Sequence, residues 1–366
     1  MYRVRVPKSI VIDATHLAHP YPSGVEEYTR ALLPLLSQEL VSAQAAVTWV
    51  GHQAEPPVPL PAGVHWISSP HRLFWSQRSL LALLNQLKPD LFFTPSGIPP
   101  LRYRGKTALT IHDLAVYADP ASFTWGQRLR LHTLHLAAKR ARTIIVPSQY
   151  TAQQVAEHWH LPSERVHVVP HGYTPLSDHP EVVQGLSTAP MFIFIGRIER
   201  KKNLQPVISG FAKVVASQEA QLVLAGRAGY GAAALHRYVR SLPDSVRSHI
   251  HFLDYITGEQ KAWLYKYAAG GLIPSPYEGF GLPVIDCFAS GVVPVCAQAG
   301  ALPEVAADAA LYVQADSPTD WDLHMLALLN GTTNRTELAE KGKQYLKRFN
   351  WEQAATQTAE ALLVNE

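Results

Sequence analysis

A rhythm in the chain limits its fold more than any single residue does. Short apolar runs rich in Val, Ile and Phe alternate with amphipathic stretches long enough for helices, and the alternation begins again past the middle. Runs at 9–14, 46–50, 64–68, 91–95, 108–113, 143–148 and 166–170 read as strands, with helices near 24–40, 74–87, 126–142 and 149–158. Further strands are predicted at 191–196, 221–226, 250–254, 271–275, 292–296 and 310–313, with helices between them and on through 318–329 and 334–348. Strands separated by helices form parallel sheets, because a parallel pair needs the crossover that the helix supplies. A single hydrophobic core stops growing at roughly 250–300 residues, so 366 residues of this pattern are expected to make two α/β units.

The boundary is expected in "HGYTPLSDHPEVVQGLSTAP" (171–190), which is rich in proline and glycine and has little periodicity. That gives a first domain over 1–178 and a second over 190–348. The amphipathic segment 350–366 comes after the second domain and is expected to fold back on the first as a strap.

Charge and cysteine content exclude several classes. The net charge of +3 is too small to argue for a nucleic-acid partner, and none is expected. It is unevenly spread. Residues 1–180 hold 16 Lys/Arg against 11 Asp/Glu, leaving 16 against 18 for the rest, so the halves carry +5 and −2. Two cysteines, Cys287 and Cys296, make neither a disulfide framework nor a zinc motif, and are read as buried thiols. The first apolar run is short for a signal peptide, and no run approaches the roughly 20 apolar residues of a membrane span. A cytoplasmic protein is expected.

Four stretches could carry chemistry. In "PSPYEGFGLPVIDCFASGVVPV" (274–295), Pro283 suits a first helical turn and Gly291 the residue just past the last. The free amides of such a helix start can hold an anion, and Gly279 and Gly281 let backbone approach a ligand closely. A phosphate there would repel Glu278, which therefore suits sugar hydroxyls, while Asp286, a turn deeper, suits a ribose diol. On spacing alone, a site and a plain capped helix fit this stretch equally well.

In "IGRIERKKN" (195–203), Arg197, Arg200, Lys201 and Lys202 gather at the carboxyl end of a strand. A charge run is usually a solvated face, but strand ends are where open α/β sheets bind ligands, which favours a diphosphate. In "TIHDL" (110–114), His112 and Asp113 follow a strand; they read as a loop histidine beside a capping aspartate, and a metal site fits less well because no further His or carboxylate has ligand spacing nearby. His132 and His135 read as neighbours on a helix face rather than zinc ligands. Near Ser23 and Gly24 a helix opens, another potential anion cradle, without a G-x-G-x-x-G fingerprint.

In combination these stretches resemble a family. "GRIERKKNL", "LVLAG", "HFLDYITGEQKAWLYKYAAGGLIPSPYEGFGLPVIDCFASGVVPV" and "ALPEVAADAALYV", in this order, look like the GT-B retaining glycosyltransferases of family 4. "SGVEEYTR", "KPDLFFTPSG", "IHDL", "RTIIVPSQYTAQQV" and "VHVVPHGY" extend the resemblance through the first half. It implies two Rossmann-like domains whose parallel sheets face each other across a cleft, with the nucleotide-sugar donor mainly on the second and the acceptor mainly on the first.

Carried over residue by residue, the resemblance puts Arg197 and Lys202 on the donor diphosphate and Glu278 on the transferred sugar. The turn from Ser275 through Gly279, Phe280, Gly281 and Leu282 lines the sugar and phosphate, and Asp286 takes the ribose. Gly196 and Gly24 lie close to the diphosphate, His112 near the reacting centre, and Tyr255 and Ile256 beside the base. There are departures. Asp286 stands where the family usually has Glu, Glu26 and Glu27 replace a glycine and an arginine of the first-domain loop, and Asp254 replaces a usual glycine.

The implied activity is transfer of a hexose with retention, from GDP-mannose or else a UDP-hexose, to a glycan or lipid-linked glycan. It implies no metal and no cofactor beyond the nucleotide-sugar co-substrate. "LFWSQRSLLALLNQLKPDLFFTPSGIPPL" (73–101) most resembles bacterial mannosyltransferases of surface-polysaccharide assembly. A silent glycan-binding homologue is disfavoured by the presence of Glu278, Arg197, Lys202 and His112. The basic, leucine-rich helix over 125–142 reads as a core helix with a charged rim or as a peripheral contact with an anionic inner membrane face.

Overall fold

The computed structural model describes residues 8–364 except 20, 22 and 70–74. In chain order it begins with β1 (Ser9–Asp13), α1 (Gly24–Ser42), β2 (Ala46–Gly51), β3 (Val64–Ser68), α2 (Ser79–Leu87), β4 (Leu91–Thr94) and β5 (Thr107–Thr110). Then come α3 (Ala115–Ala118), α4 (Trp125–Ala138), β6 (Thr143–Val146), α5 (Gln149–Trp159) and β7 (Val166–Val168). The second rhythm runs β8 (Met191–Ile195), α6 (Leu204–Val215), β9 (Gln221–Ala225), α7 (Ala232–Arg240), α8 (Asp244–Arg247), β10 (Ile250–Leu253) and α9 (Gly258–Tyr267). It continues with β11 (Ala268–Ile273), α10 (Leu282–Ser290), β12 (Pro294–Ala297), α11 (Leu302–Ala306), β13 (Leu311–Val313), α12 (Pro318–Leu329), α13 (Arg335–Leu346) and α14 (Trp351–Leu363).

These form two compact units. The first holds Met1–Leu114, Trp125–Gly172 and Asn350–Glu366; the second holds Ala115–Thr124 and Tyr173–Phe349. Two differences from the expected boundaries have physical causes. The chain joins the second unit from Tyr173 rather than after 178, because Tyr173 N donates to Phe349 O and Leu176 packs on that unit's core. The short excursion 115–124 also belongs to the second unit, where Lys201 lies over the Phe123 ring.

The first sheet has the order β3-β2-β1-β4-β5-β6-β7 and the second β10-β9-β8-β11-β12-β13, with every pairing parallel. Each sheet starts at an inner strand, winds outward, then returns to the other side of its first strand. That reversal is the topological switch point, and the crevice outside the strand ends there is where open α/β sheets bind ligands. In the first unit it lies between β1 and β4, in the second between β8 and β11.

The strands are buried on both faces, as a parallel sheet demands: Ile10, Ile12, Phe92, Phe93 and Leu109 in one unit, Phe192, Leu222, Leu224 and Val295 in the other, are fully buried. The β11 strand starts three residues before its predicted position, since α9 runs straight into it with no loop. The α4 helix stops at Ala138 rather than 142 because Arg142 N already donates to Thr107 O at the sheet. The α2 helix is seen from Ser79; its expected start at 74 lies outside the described residues. The α14 helix packs on α1, burying Trp351, Ala355 and Leu362, and is tied to the β6 region by Arg142 donating to Val364 O.

Candidate active site

The two strands at the second unit's switch point deliver the two motifs that sequence singled out. β8 ends at Ile195, and the chain passes through Gly196 and Arg197 into a single 3-10 turn, Arg200–Lys202. Asn203 ends that turn in a left-handed conformation and is pinned there, its amide donating to Asp316 Oδ1 at 2.8 Å and Ala315 O at 3.2 Å. Such a conformation is open to asparagine at little cost, so the turn holds Lys202 at the mouth of the sheet.

From β11 the chain passes Ser275 to Glu278. Lys202 Nζ lies 2.5 Å from Glu278 Oε1, and both side chains are only 18% exposed. Two residues assigned different duties therefore neutralise each other in this structure. Gly300 holds the carboxylate's backbone in place. With φ of +62°, a Cβ there would sit 2.7 Å from Glu278 N and 2.8 Å from Glu278 O, and Ala301 N donates to that same oxygen at 2.9 Å. Sequence reasoning passed over Gly300, since nothing near it carries charge.

Ser275 is buried, and its hydroxyl finds no hydrogen-bond partner among the described residues. Unpaired buried hydroxyls are costly and uncommon in folded proteins, so this one, three residues before Glu278 at a strand end, is a candidate for contact with a ligand. The turn that follows opens α10 through Gly281, whose φ of 115° excludes most side chains. The Phe280 ring is buried, edge-on to Phe349 at 5.6 Å, so only its backbone can address a ligand. Arg197, by contrast, is 59% exposed and lies 3.5 Å from Glu199, a loose pair at the surface.

Asp286, on the second turn of α10, is paired with Lys261 of α9 at 2.7 Å. Lys261 lies inside a stretch that carries the resemblance, but was assigned no role of its own from sequence. Tyr255 and Ile256 border a hollow of about 620 Å³ also lined by Val183, Phe252, Asp254 and Gln260.

The first unit presents its own strand-end cluster. His112, just past β5, has Nε2 2.9 Å from Pro95 O at the end of β4. A carbonyl only accepts, so the ring carries its proton on Nε2 and leaves the Nδ1 lone pair available. Burial pushes the imidazole below its ordinary range, against the Pro95 bond and the Asp113 charge, and keeps the ring neutral. Tyr28 packs edge-on to His112 at 4.8 Å and tilted on His171 at 4.6 Å, while Trp351 stacks on His171 at 5.9 Å. The aromatic surroundings of His112 thus come from α1, the segment after β7 and the last helix. Sequence order hides such a cluster.

At the start of α1, Glu26 turns back on its own helix. Its Oε2 accepts from Ser23 N at 2.9 Å and from the Ser23 hydroxyl, and Oε1 lies 3.4 Å from His16 Nδ1. Burial opposes this charge, but the bonds from His16 and Ser23 overcome it and lower the carboxyl to about 2. The helix end beside Gly24 therefore already carries an anion, and a diphosphate there would meet a like charge.

Two parallel-sheet units with charged groups at the switch point define a class, the doubly wound α/β proteins that bind ligands at their strand ends. The comparisons narrow it. Residues 180–345 match the family described as glycosyl transferases group 1, and residues 22–175 match Glycosyltransferase Family 4. The chain is 26% identical to the O-antigen chain mannosyltransferase B of Escherichia coli, over 80% of this chain and 78% of that one. It is also 26% identical to the O-antigen chain mannosyltransferase RfbU of Salmonella typhimurium, over 62% and 61%. Among solved structures it superposes on WaaG, a glycosyltransferase involved in lipopolysaccharide biosynthesis, with a TM-score of 0.71 at 14% identity over 96% of this chain and 98% of that one. On HepE of Anabaena in complex with UDP the score is 0.70 at 16% identity, over 97% and 99%.

The chain belongs to the group 1, family 4 glycosyltransferases, with the GT-B fold of two Rossmann-like domains.

Proposed function

We propose that this glycosyltransferase moves a hexose, with retention of anomeric configuration, from a nucleotide sugar to a glycan or lipid-linked glycan, and that the donor is GDP-mannose. The observation that carries the reading is the Lys202–Glu278 pair at the second unit's switch point. A nucleotide sugar offers each member a better-matched partner: the diphosphate for the ammonium, sugar hydroxyls for the carboxylate. Ser275, with its buried hydroxyl, is placed to take a further polar atom of the donor. The choice of mannose rests on the similarity to the two O-antigen mannosyltransferases. A UDP-hexose is the second reading, prompted by the HepE complex with UDP-glucose.

In this reading the bond from sugar C1 to the diphosphate oxygen breaks, leaving negative charge on the diphosphate and positive charge on the ring. Lys202, Arg197 and the amides of Gly279 to Leu282 offset the first, and such preorganised donors are typically worth about 3 kcal/mol each. The acceptor oxygen bonds to C1 on the face the diphosphate leaves, and its proton passes to a departing diphosphate oxygen. Gly196 lies beside the diphosphate, Tyr255 and Ile256 beside the base, and His112 serves the acceptor side with its neutral ring. Side-chain cations supply the positive charge, so no metal or other cofactor enters the proposal. Incubation with a panel of nucleotide sugars should release GDP from GDP-mannose. Binding of donors with no release from any of them would mark a silent binder, and release of UDP alone would favour the second reading.

The α4 helix supports a peripheral contact with an anionic membrane face. No helix among the described residues is long and apolar enough to cross a membrane. Yet α4 turns apolar side chains outward. Trp125, Leu129 and Leu136 are 76%, 48% and 40% exposed. At i, i+4 and i+11 they share one stripe, bordered by Arg128, Lys139 and Arg140, and the helix has no acidic residue. Apolar side chains within a basic rim match a surface of anionic lipid. The protein should float with anionic vesicles at low salt, and the double variant W125S/L129S should lose most of that binding. Failure of the unaltered protein to float would remove the membrane from the proposal.

A further inference from the structure

At the first unit's switch point, between β1 and β4, the strand ends carry polar groups that the chain itself leaves unmatched. Asp13, the last residue of β1, is only 4% exposed. Its Oδ1 accepts from Thr15 N at 3.1 Å and from Thr15 Oγ1 at 2.6 Å, which fixes the turn out of the strand. Among the described residues Oδ2 takes no hydrogen bond, and no Lys or Arg pairs with the carboxylate. A shielded carboxylate with one oxygen unmatched is costly in a folded protein. On the other side of the switch point, β4 ends in the turn Thr94–Gly97, where Gly97 N donates to Thr94 Oγ1 at 2.8 Å. A Cβ on Gly97 would lie 2.9 Å from Asp13 Oδ2 and 2.6 Å from Thr94 Oγ1, so glycine alone keeps the space beside the unmatched oxygen clear. The Ser96 hydroxyl, in the same turn, is buried and finds no partner among the described residues. Pro95 O is the oxygen 2.9 Å from His112 Nε2. One turn of four residues therefore meets Asp13, holds His112 and carries Ser96.

We propose that Asp13 and Ser96 bind two hydroxyls of the acceptor, and that the acceptor's reacting end is an uncharged sugar rather than a phosphorylated one. Asp13 Oδ2 accepts from one hydroxyl, and Ser96 Oγ exchanges a hydrogen bond with the other. The proposal rests on the glycosyl-transfer reading above and adds to it the chemical class of the acceptor and two residues that select it. Strand ends in α/β sheets often hold phosphate, but acids mark this one. His16, three residues past Asp13, lies 3.4 Å from Glu26, the second carboxylate on this side of the sheet. A phosphorylated sugar would bring its charge against both. The cations nearby are engaged with backbone: Arg30 donates to Leu17 O at 3.3 Å and to His19 O at 2.8 Å, and the exposed Arg130 to Ser96 O at 3.4 Å. A hydroxyl both donates and accepts, so a neutral sugar matches an oxygen that only accepts and a second hydroxyl beside it.

The competing role for Asp13 is that of a turn cap with no ligand contact. Asparagine separates the two. It keeps an oxygen for Thr15 and puts an NH2 group where Oδ2 was, so the hydrogen-bonding sense changes at the unmatched atom alone. Ser96→Ala is a second probe, because it removes a hydroxyl that the fold leaves unpaired and so should not weaken the folded chain.

The test is an NMR titration of the full-length protein, with GDP or UDP present, by methyl glycosides of mannose, glucose, galactose and N-acetylglucosamine. Each glycoside is compared with its 6-phosphate and with its 6-O-methyl ether, the ether separating charge from the blocked hydroxyl. At least one neutral glycoside should bind, and its 6-phosphate should bind at least about 10-fold more weakly than its ether. D13N should weaken the neutral glycoside by roughly 10–100-fold, the range of a charge-assisted hydrogen bond, with nucleotide affinity changed by less than about twofold. S96A should weaken the glycoside by about 3–10-fold with Tm unchanged or raised, a combination that a purely structural serine does not give. Should D13N not fold, S96A decides alone. A phosphate bound as well as the ether overturns the proposal, and so does unchanged glycoside affinity in the folded variants. Nucleotide binding with no glycoside bound overturns it too, while leaving the donor reading in place. No binding of either nucleotide would instead overturn the glycosyl-transfer reading itself, and the proposal with it.

Discussion

Lys202→Met should cut donor kcat/KM by about 10²–10³-fold or more, beyond the loss of one cation. The Lys202 ammonium and the Glu278 carboxylate offset each other in a site where each side chain is 18% exposed. Methionine keeps the length and apolar stem of lysine but leaves Glu278 as an unbalanced anion. A diphosphate would then lose its counter-charge and gain a repelling neighbour in one substitution. Nucleoside diphosphate affinity should fall by roughly 10–100-fold, the range for losing a charge-assisted contact. The double variant K202M/E278Q should bind the nucleotide more tightly than K202M alone, because the repulsion is gone. A double-mutant cycle on binding measures that coupling directly. Unchanged donor kinetics in K202M would remove Lys202 from the diphosphate.

Glu278→Gln should have the larger effect on chemistry and the opposite effect on nucleotide binding. Transfer should fall at least about 10³-fold, since the residue that meets the sugar loses its charge where positive charge develops on the ring. Nucleoside diphosphate binding should be kept or tightened, because Lys202 no longer divides itself between phosphate and carboxylate. This split between turnover and nucleotide affinity separates a sugar contact from a folding role, in which both would decline. Turnover surviving in E278Q would end the assignment. The fold has little reason to fail: the backbone of Glu278, not its side chain, is what Ala301 and Gly300 grip.

Most of the architecture could be read from the chain because buried parallel strands are apolar on both faces. Runs such as Ile10 to Ile12 and Phe192 to Phe194 announce themselves without help from neighbours. Motifs at strand ends were legible for a related reason: glycine, proline and charge crowd into short turns, as between Ser275 and Pro283. What escaped reading were pairings set by three-dimensional neighbourhood. Lys261 looks like any exposed lysine on an amphipathic helix, and only the packing of α9 beside α10 gives it Asp286. Glu26 and Glu27 were recognised as replacing other residues, but not that Glu26 would fold onto Ser23 and His16. The assignment of 115–124 to the second unit depends on contacts such as that of Lys201 with Phe123, which no local pattern encodes.

The placement of α14 has a bearing on how the protein is made. The first unit takes a helix from Asn350–Glu366, so α1 lacks its covering of Trp351, Ala355 and Leu362 until the residues beyond 350 have emerged. Residues Tyr173–Phe349, nearly the whole of the second unit, emerge without interruption before that. On the ribosome, where domains generally fold in order of emergence, this order should be reversed in its completion. The unit that emerges first is finished last, and a nascent chain stalled short of residue 350 would expose the apolar face of α1.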